Sequence, residues 1–487
     1  MNQIKIGWAQ TSITPSQPAL MEGQMYQRCS RYVHDPITAT ALALDNGETR
    51  AIFVSNDMTE VPVHAFAALK AEVEKRGIDF SCVSINVTHS HNSTSFYRDF
   101  LREDNLAVYD KDILPEFEGK AENMLEGDEG IAFYVEHIAD LIEKAWTQRK
   151  PGGISYAHDY AAVAFSRRPQ FGNSDHVETT MYGDCSRDDF VKFEGGIDTA
   201  VELLYTWNED RELTGVVANV PCPSQVYELH CFLSADYWAP TRDEIREKLG
   251  KNVYVLPVVG AAGDLAPIDL VHISKTNKQA LLDWGGQTKE VFRDFDMTLT
   301  CQGIADRISE CVVRGFRYAK NYIDERPEFC HQVLSMELPI RQVSEEEYAE
   351  AKAFVDETNR KFSKENRMTM KDLVKAFEPQ GVVIRYRQQK ENPMFAFNCH
   401  ILRLGNIAIA TNPFELYHEF AQRIKARAKA EQVFVIQLSN GLGGYLPTRA
   451  AVDGGSYSSK AASTTCGPEG GDELVEKTLG IINGMWK

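Results

Sequence analysis

Short apolar runs rich in β-branched residues alternate along this chain with longer stretches of helical periodicity. Runs such as Arg-Ala-Ile-Phe-Val-Ser-Asn at 50–56 predict strands there and over 82–87, 214–220, 253–259, 406–410 and 432–437. Helical spacing predicts helices over 65–75, 130–148, 241–248, 305–321, 345–358, 413–428 and 472–483. This alternation is that of an α/β fold with mixed β-sheets flanked by helices. Several strands run directly into segments rich in Gly, Asn, Pro or His, the place where open α/β sheets bind their ligands. Charged stretches at 344–358 and 361–375 read as solvated helical faces, within a helical insertion over 340–395. Neither a repeat nor a flexible linker divides the chain, so one domain spanning 1–487 is expected.

Composition narrows the chemistry. The 487 residues are 43% hydrophobic and 25% charged, as in ordinary globular proteins. A chain of this size buries roughly three quarters of its unfolded surface, so a metal would serve chemistry rather than folding. With 52 Lys and Arg against 70 Asp and Glu, the net charge of −18 excludes nucleic acid as a partner. The 10 cysteines contain no Cys-x-x-Cys pair, which removes zinc ribbons and thioredoxin-like redox chemistry. The start Met1-Asn2-Gln3-Ile4-Lys5-Ile6-Gly7 is not a secretory signal, and no apolar window is long enough to span a bilayer. A cytoplasmic protein with reduced cysteines and no membrane insertion is therefore expected.

Four loops carry candidate chemistry. Thr88-His89-Ser90-His91-Asn92-Ser93-Thr94 follows the strand at 82–87; if extended geometry continues, the two imidazoles point the same way and suit a metal ligand beside a proton carrier. The bland alternative is a pair of solvated loop histidines. In Asn412-Pro413-Phe414-Glu415-Leu416, Asn at N-cap, Pro at N1 and Glu at N3 make a good helix start, so Glu415 either completes a capping box or projects into the cleft above the sheet. Ser439-Asn440-Gly441-Leu442-Gly443-Gly444-Tyr445 is Gly-rich but lacks the helix and downstream acid of a dinucleotide loop. Gly260-Ala261-Ala262-Gly263-Asp264-Leu265-Ala266 is a substrate-facing loop with one acid.

Taken in order, with the opening Ile6-Gly7-Trp8-Ala9-Gln10-Thr11-Ser12-Ile13-Thr14-Pro15, these segments resemble the neutral, non-lysosomal ceramidases, a family of zinc-dependent amidases. The likeness runs from Ile6 to about Ile482 and implies that family's catalytic-domain fold, without its C-terminal β-domain. It implies zinc bound by His89, Glu415 and Tyr445, with His91 beside the reacting bond, Tyr457 polarising its carbonyl and Arg167 of Ser166-Arg167-Arg168-Pro169 touching substrate. Asn440 stands five residues before Tyr445, as the family's spacing requires.

Two departures alter that picture. A gap-free count puts Cys222 where the family has a second zinc-binding His; it serves as fourth ligand, or His230 does, or Cys222 is simply buried. Ala266 stands where the family carries a Ser, so no acyl-enzyme can form there. The resemblance then implies a metal-activated water as nucleophile, with His91 or Asp264 handling the proton. The expected substrate is a small-molecule amide or ester, smaller or more polar than ceramide and intracellular. The alternative is a ligand-binding homologue that has lost the metal site.

Overall fold

The apolar runs become the strands of two sheets in a computed structural model that describes residues 2–24, 27–96, 107–115, 120–173, 176–181, 184–276 and 297–486. The larger sheet contains β1 (Lys5–Ser12), β2 (Thr38–Asp45), β3 (Arg50–Asn56), β4 (Val83–Val87), β5 (Lys150–Tyr160), β6 (Ala200–Asn208), β7 (Leu213–Val220) and β8 (Tyr254–Val259), in the order β8-β7-β6-β5-β1-β2-β3-β4. The smaller sheet holds β9 (Phe329–Pro339), β10 (Met394–Leu404), β11 (Ile407–Thr411) and β12 (Gln432–Ile436), in chain order. Both are mixed: β3/β4, β7/β8 and β11/β12 pair in parallel and the remaining neighbours run antiparallel.

The sheets pack face to face. Trp8, Leu42, Leu44, Phe53, Leu204, Val217 and Leu256 of the larger meet Leu402, Leu404, Ile407, Ile409, Phe434 and Ile436 of the smaller in one core. The outer face of β1–β4 lies under α1 (Phe66–Lys75) and α2 (Gly127–Thr147). That of β5–β8 lies under α3 (Trp238–Leu249) and α4 (Thr298–Ala319). Two more helices, α7 (His418–Arg427) and α8 (Pro468–Met485), cover the smaller sheet. The result is four layers, helix-sheet-sheet-helix. Strands buried on both faces explain why the sequence shows continuous apolar runs rather than a two-residue alternation.

Within 340–395, α5 (Glu345–Lys361) and α6 (Met370–Glu391) each begin with a capping box, Ser344 with Glu347 and Thr369 with Asp372. They share a small apolar core and stack Tyr348 on Tyr386 at 4.0 Å between ring centroids. Among the described residues no helix is long and apolar enough to cross a membrane.

The helix predicted over 413–428 is shorter than expected and starts at His418. Glu415–Leu416 is instead a two-residue parallel strand against Tyr445–Leu446, and the Glu415 N–H donates to the Gly444 carbonyl at 2.9 Å. The Asn412 side chain accepts from Phe414 N at 3.2 Å, an Asx turn that mimics a helix cap in sequence. Glu415 is therefore not a capping residue, and its carboxylate is free to enter the cleft.

Candidate active site

Loops leaving the C-terminal ends of the parallel pairs converge at one edge of the sandwich, as expected for α/β sheets. The Gln437 side-chain oxygen accepts from both Ala262 N (3.1 Å) and Leu416 N (2.9 Å), joining three of these loops. Asn440 exchanges hydrogen bonds with the backbone of Ile85 and fastens the Gly-rich loop to the edge strand β4. The convergence floors a cleft of about 650 Å³ lined by His89, His91, Glu60, Glu415, Tyr445 and Tyr457, with α6 as one wall.

The two histidines meet by a turn rather than by strand pleat. Strand β4 stops at Val87, and His89 adopts φ 60°, the left-handed region that non-glycine residues rarely enter. His89 Nδ1 donates to the Thr59 carbonyl at 2.7 Å, leaving the Nε2 lone pair 3.4 Å from Glu415 Oε2 and 3.3 Å from His91 Nε2. Burial alone would lower the His89 pKa, but the charge and hydrogen bond of Glu415 raise it. Glu415 responds in kind: against the upward push of burial, His89, Arg167 and Tyr445 hold its carboxyl below the ordinary range.

His91 Nε2 accepts from the Gln225 amide at 2.6 Å, and its Nδ1 lies 3.3 Å from Glu228. Burial pushes its pKa down to about 4, so this imidazole rests neutral. Segment 20–24 closes over the ring: Gly23 sits at φ 92°, where a Cβ would come within 2.4 Å of His91. Arg167 is buried behind the floor rather than in the cleft. Its Nη2 donates to Tyr445 Oη at 3.0 Å and to the Gly263 carbonyl at 2.9 Å, and lies 3.6 Å from Glu415 Oε2. The rings of Tyr445 and Tyr457 meet edge-on at 5.6 Å.

The other expected site residues lie elsewhere. Cys222 is fully buried in the core under α3 and α4, its thiol directed at the Val163 carbonyl at 3.2 Å and its pKa pushed far up by burial. His230 stacks on Phe232 at 5.1 Å. Neither lines the cleft, and the side chains that reach the histidine pair from this loop are Gln225 and Glu228. The Asp264 carboxylate is taken by His418, accepting from its N at 3.0 Å and its Nδ1 at 2.6 Å, while its carbonyl holds Arg167 N at 3.1 Å. Asp264 thus positions Arg167, and its carboxylate does not line the cleft.

Glu60 and Gln225 were not singled out in the sequence. Glu60 follows the strand end at Asn56 in Asp57-Met58-Thr59-Glu60, the same signal that marked the other loops. Burial and the neighbouring charge of Glu415 raise its pKa to about 7.

No protein-family model matches the chain, and no curated protein matches it. Among solved structures it is similar to the neutral ceramidase from Pseudomonas aeruginosa, with a TM-score of 0.66 and 16% identity over all of this chain and 75% of that one. It is also similar to a ceramidase complexed with C2, with a TM-score of 0.65 and 12% identity over 100% of this chain and 76% of that one. The chain has the neutral ceramidase fold. That fold brings together the expected His89, His91, Glu415, Tyr445 and Tyr457 from segments more than 300 residues apart, with Arg167 behind them.

Whether these groups fit a zinc ion is decided by lone pairs. With the His89 proton on Nδ1, Nε2 and the Glu415 carboxylate are both acceptors, and 3.4 Å between them requires a shared proton or an intervening cation. Two ligands at about 2.0–2.1 Å on one tetrahedral zinc stand at such a spacing. Among the described residues no three His, Cys, Asp or Glu side chains form a ready metal cluster; a third donor would have to come from the Tyr445 phenol, which hydrogen-bonds Glu415. The fit is to His89, Glu415 and Tyr445, without Cys222 or His230.

Proposed function

We propose that this protein is a zinc-dependent hydrolase of a carboxamide or ester bond, acting on a substrate smaller or more polar than ceramide. What supports the reading above all is the meeting of His89 Nε2, His91 Nε2 and Glu415 Oε2 at the floor of a substrate-sized cleft. His89, Glu415 and Tyr445 would hold the zinc ion, which would supply Lewis acidity towards a carbonyl and a lowered pKa for water. The chain's own groups do the rest. The Thr59 carbonyl fixes the tautomer and orientation of His89. His91 accepts a proton at Nε2 and returns it to the leaving amine or alcohol. The Tyr457 hydroxyl faces the carbonyl oxygen, where one well-placed donor contributes about 10²–10³ in rate. Arg167 orients Tyr445 and Glu415 from behind.

Metal analysis of protein purified without chelator tests this directly. Wild type should carry about one zinc per chain, and His89→Ala and Glu415→Ala should each lose it; an empty wild type ends the zinc mechanism. Turnover of p-nitrophenyl esters, N-acyl amino acids and short-chain ceramides then sorts substrates, and hydrolysis of ceramide alone would overturn the preference for a polar one. A second reading, a ligand-binding homologue without metal, is favoured by Gln225 against His91 and by the Arg167 cation near Glu415. Wild type without zinc or turnover would establish it.

A further inference from the structure

The floor of the cleft is acidic, and its far wall carries a cation. Helix α6 presents Phe377, Ile384 and Arg385 to the cleft, which Met394 and Phe395 also line. Arg385 Nη2 donates to the Thr464 carbonyl at 2.7 Å and Nη1 to Gln388 Oε1 at 2.8 Å, both uncharged acceptors, and its Nε is buried without one. This half-buried side chain differs from three buried arginines that have a carboxylate: Arg242 takes both oxygens of Asp57 at 2.8 Å, Arg168 takes Glu194 at 2.6 Å, and Arg167 stands beside Glu415. Among the described residues no carboxylate pairs with Arg385, and the charged group that acts on it is another cation, Arg341. A guanidinium partly withdrawn from water beside a like charge favours the arrival of an anion.

Its position relates it to the reactive groups. Thr464, which holds the guanidinium, forms β-bridges with Gly444 and Tyr445, so Arg385 is anchored one strand away from a residue of the floor. Gly381 fixes the helix in this place, since a Cβ there would lie 2.3 Å from Ala462.

We infer that the cleft takes an amide or ester whose other end carries a carboxylate, with Arg385 holding that carboxylate across an apolar stretch from the reacting bond. The inference rests on the hydrolytic reading of the floor and narrows its substrate to the class of N-acyl amino acids. A planar, singly charged carboxylate suits the guanidinium fork. A phosphate would bring more charge to a cleft also lined by Glu22, Glu60, Glu391 and Glu415.

Equilibrium binding separates this from a merely structural arginine. Hexanoylglycine and its carboxamide, hexanoylglycinamide, are titrated calorimetrically into wild type, Arg385→Gln and Arg385→Lys, with circular dichroism to verify folding. Wild type should bind the acid about tenfold or more tighter than the amide. Arg385→Gln should lose that margin by weakening the acid alone, and Arg385→Lys should keep part of it. Equal affinity of the two ligands for wild type, no binding of either, or equal weakening of both by Arg385→Gln would overturn the inference. A preference for the acid without hydrolysis would leave the anchor standing and remove the hydrolytic reading; hydrolysis of neutral esters without any preference would do the reverse.

Discussion

His89 is held in a left-handed conformation that costs on the order of 1–3 kcal/mol, and the Thr59 carbonyl is what makes it persist. The sequence marked His89 and His91 through their spacing, but the geometry that joins them is a turn, which two-residue periodicity cannot anticipate. Counting along the chain placed Cys222 at the missing metal ligand; the fold buries it and sends Gln225, three residues on, to His91. Backbone register is visible in a sequence, whereas which side of a loop faces inward is decided by packing. Two substitutions separate these residues. Cys222→Ala should leave zinc content unchanged and lower stability by about 1 kcal/mol. Gln225→His adds an imidazole where only an amide now stands and should slow zinc loss to a chelator by at least about tenfold. Chelator competition and chemical denaturation measure the two effects.

At the level of elements, strands were the most legible because burial on both faces writes them as apolar runs. The start of α7 was not, since Asn412-Pro413-Phe414-Glu415 has every local mark of a helix cap. Pairing of Glu415–Leu416 with Tyr445–Leu446, across an intervening helix and strand, overrides that local preference. The helix begins three residues after Glu415, and its first residue, His418, is locked to Asp264. Burial would lower the His418 pKa, but the Asp264 charge and hydrogen bond raise it above its ordinary 6.5. The pairing therefore stabilises the fold fully below about pH 6.5. It fades as pH rises through the higher folded value. Asp264→Asn should cost about 2 kcal/mol at pH 6. The gap to wild type should shrink by pH 9. Urea unfolding across that range tests it, and a gap independent of pH would show that His418 is not protonated in the fold.

For the whole molecule, the expectation of one domain rests on site residues gathered from nearly the full length of the chain, and the core between the two sheets gives it a physical test. Phe434, fully buried, belongs to the smaller sheet but packs in a core built by both. Phe434→Ala should cost about 3–5 kcal/mol and lower the midpoint of a single thermal transition. Two separable transitions by calorimetry would mean that the sheets unfold independently. The wall formed by α6 stands outside this shared core: with α5 it has an apolar cluster of its own and meets the floor through Thr464 and the Gly381 contact. Substitutions along α6 can therefore change which molecules are admitted without disturbing the sandwich that aligns His89, Glu415 and Tyr445. A protein built this way can acquire new substrates by altering one helix, while the reaction itself is inherited intact.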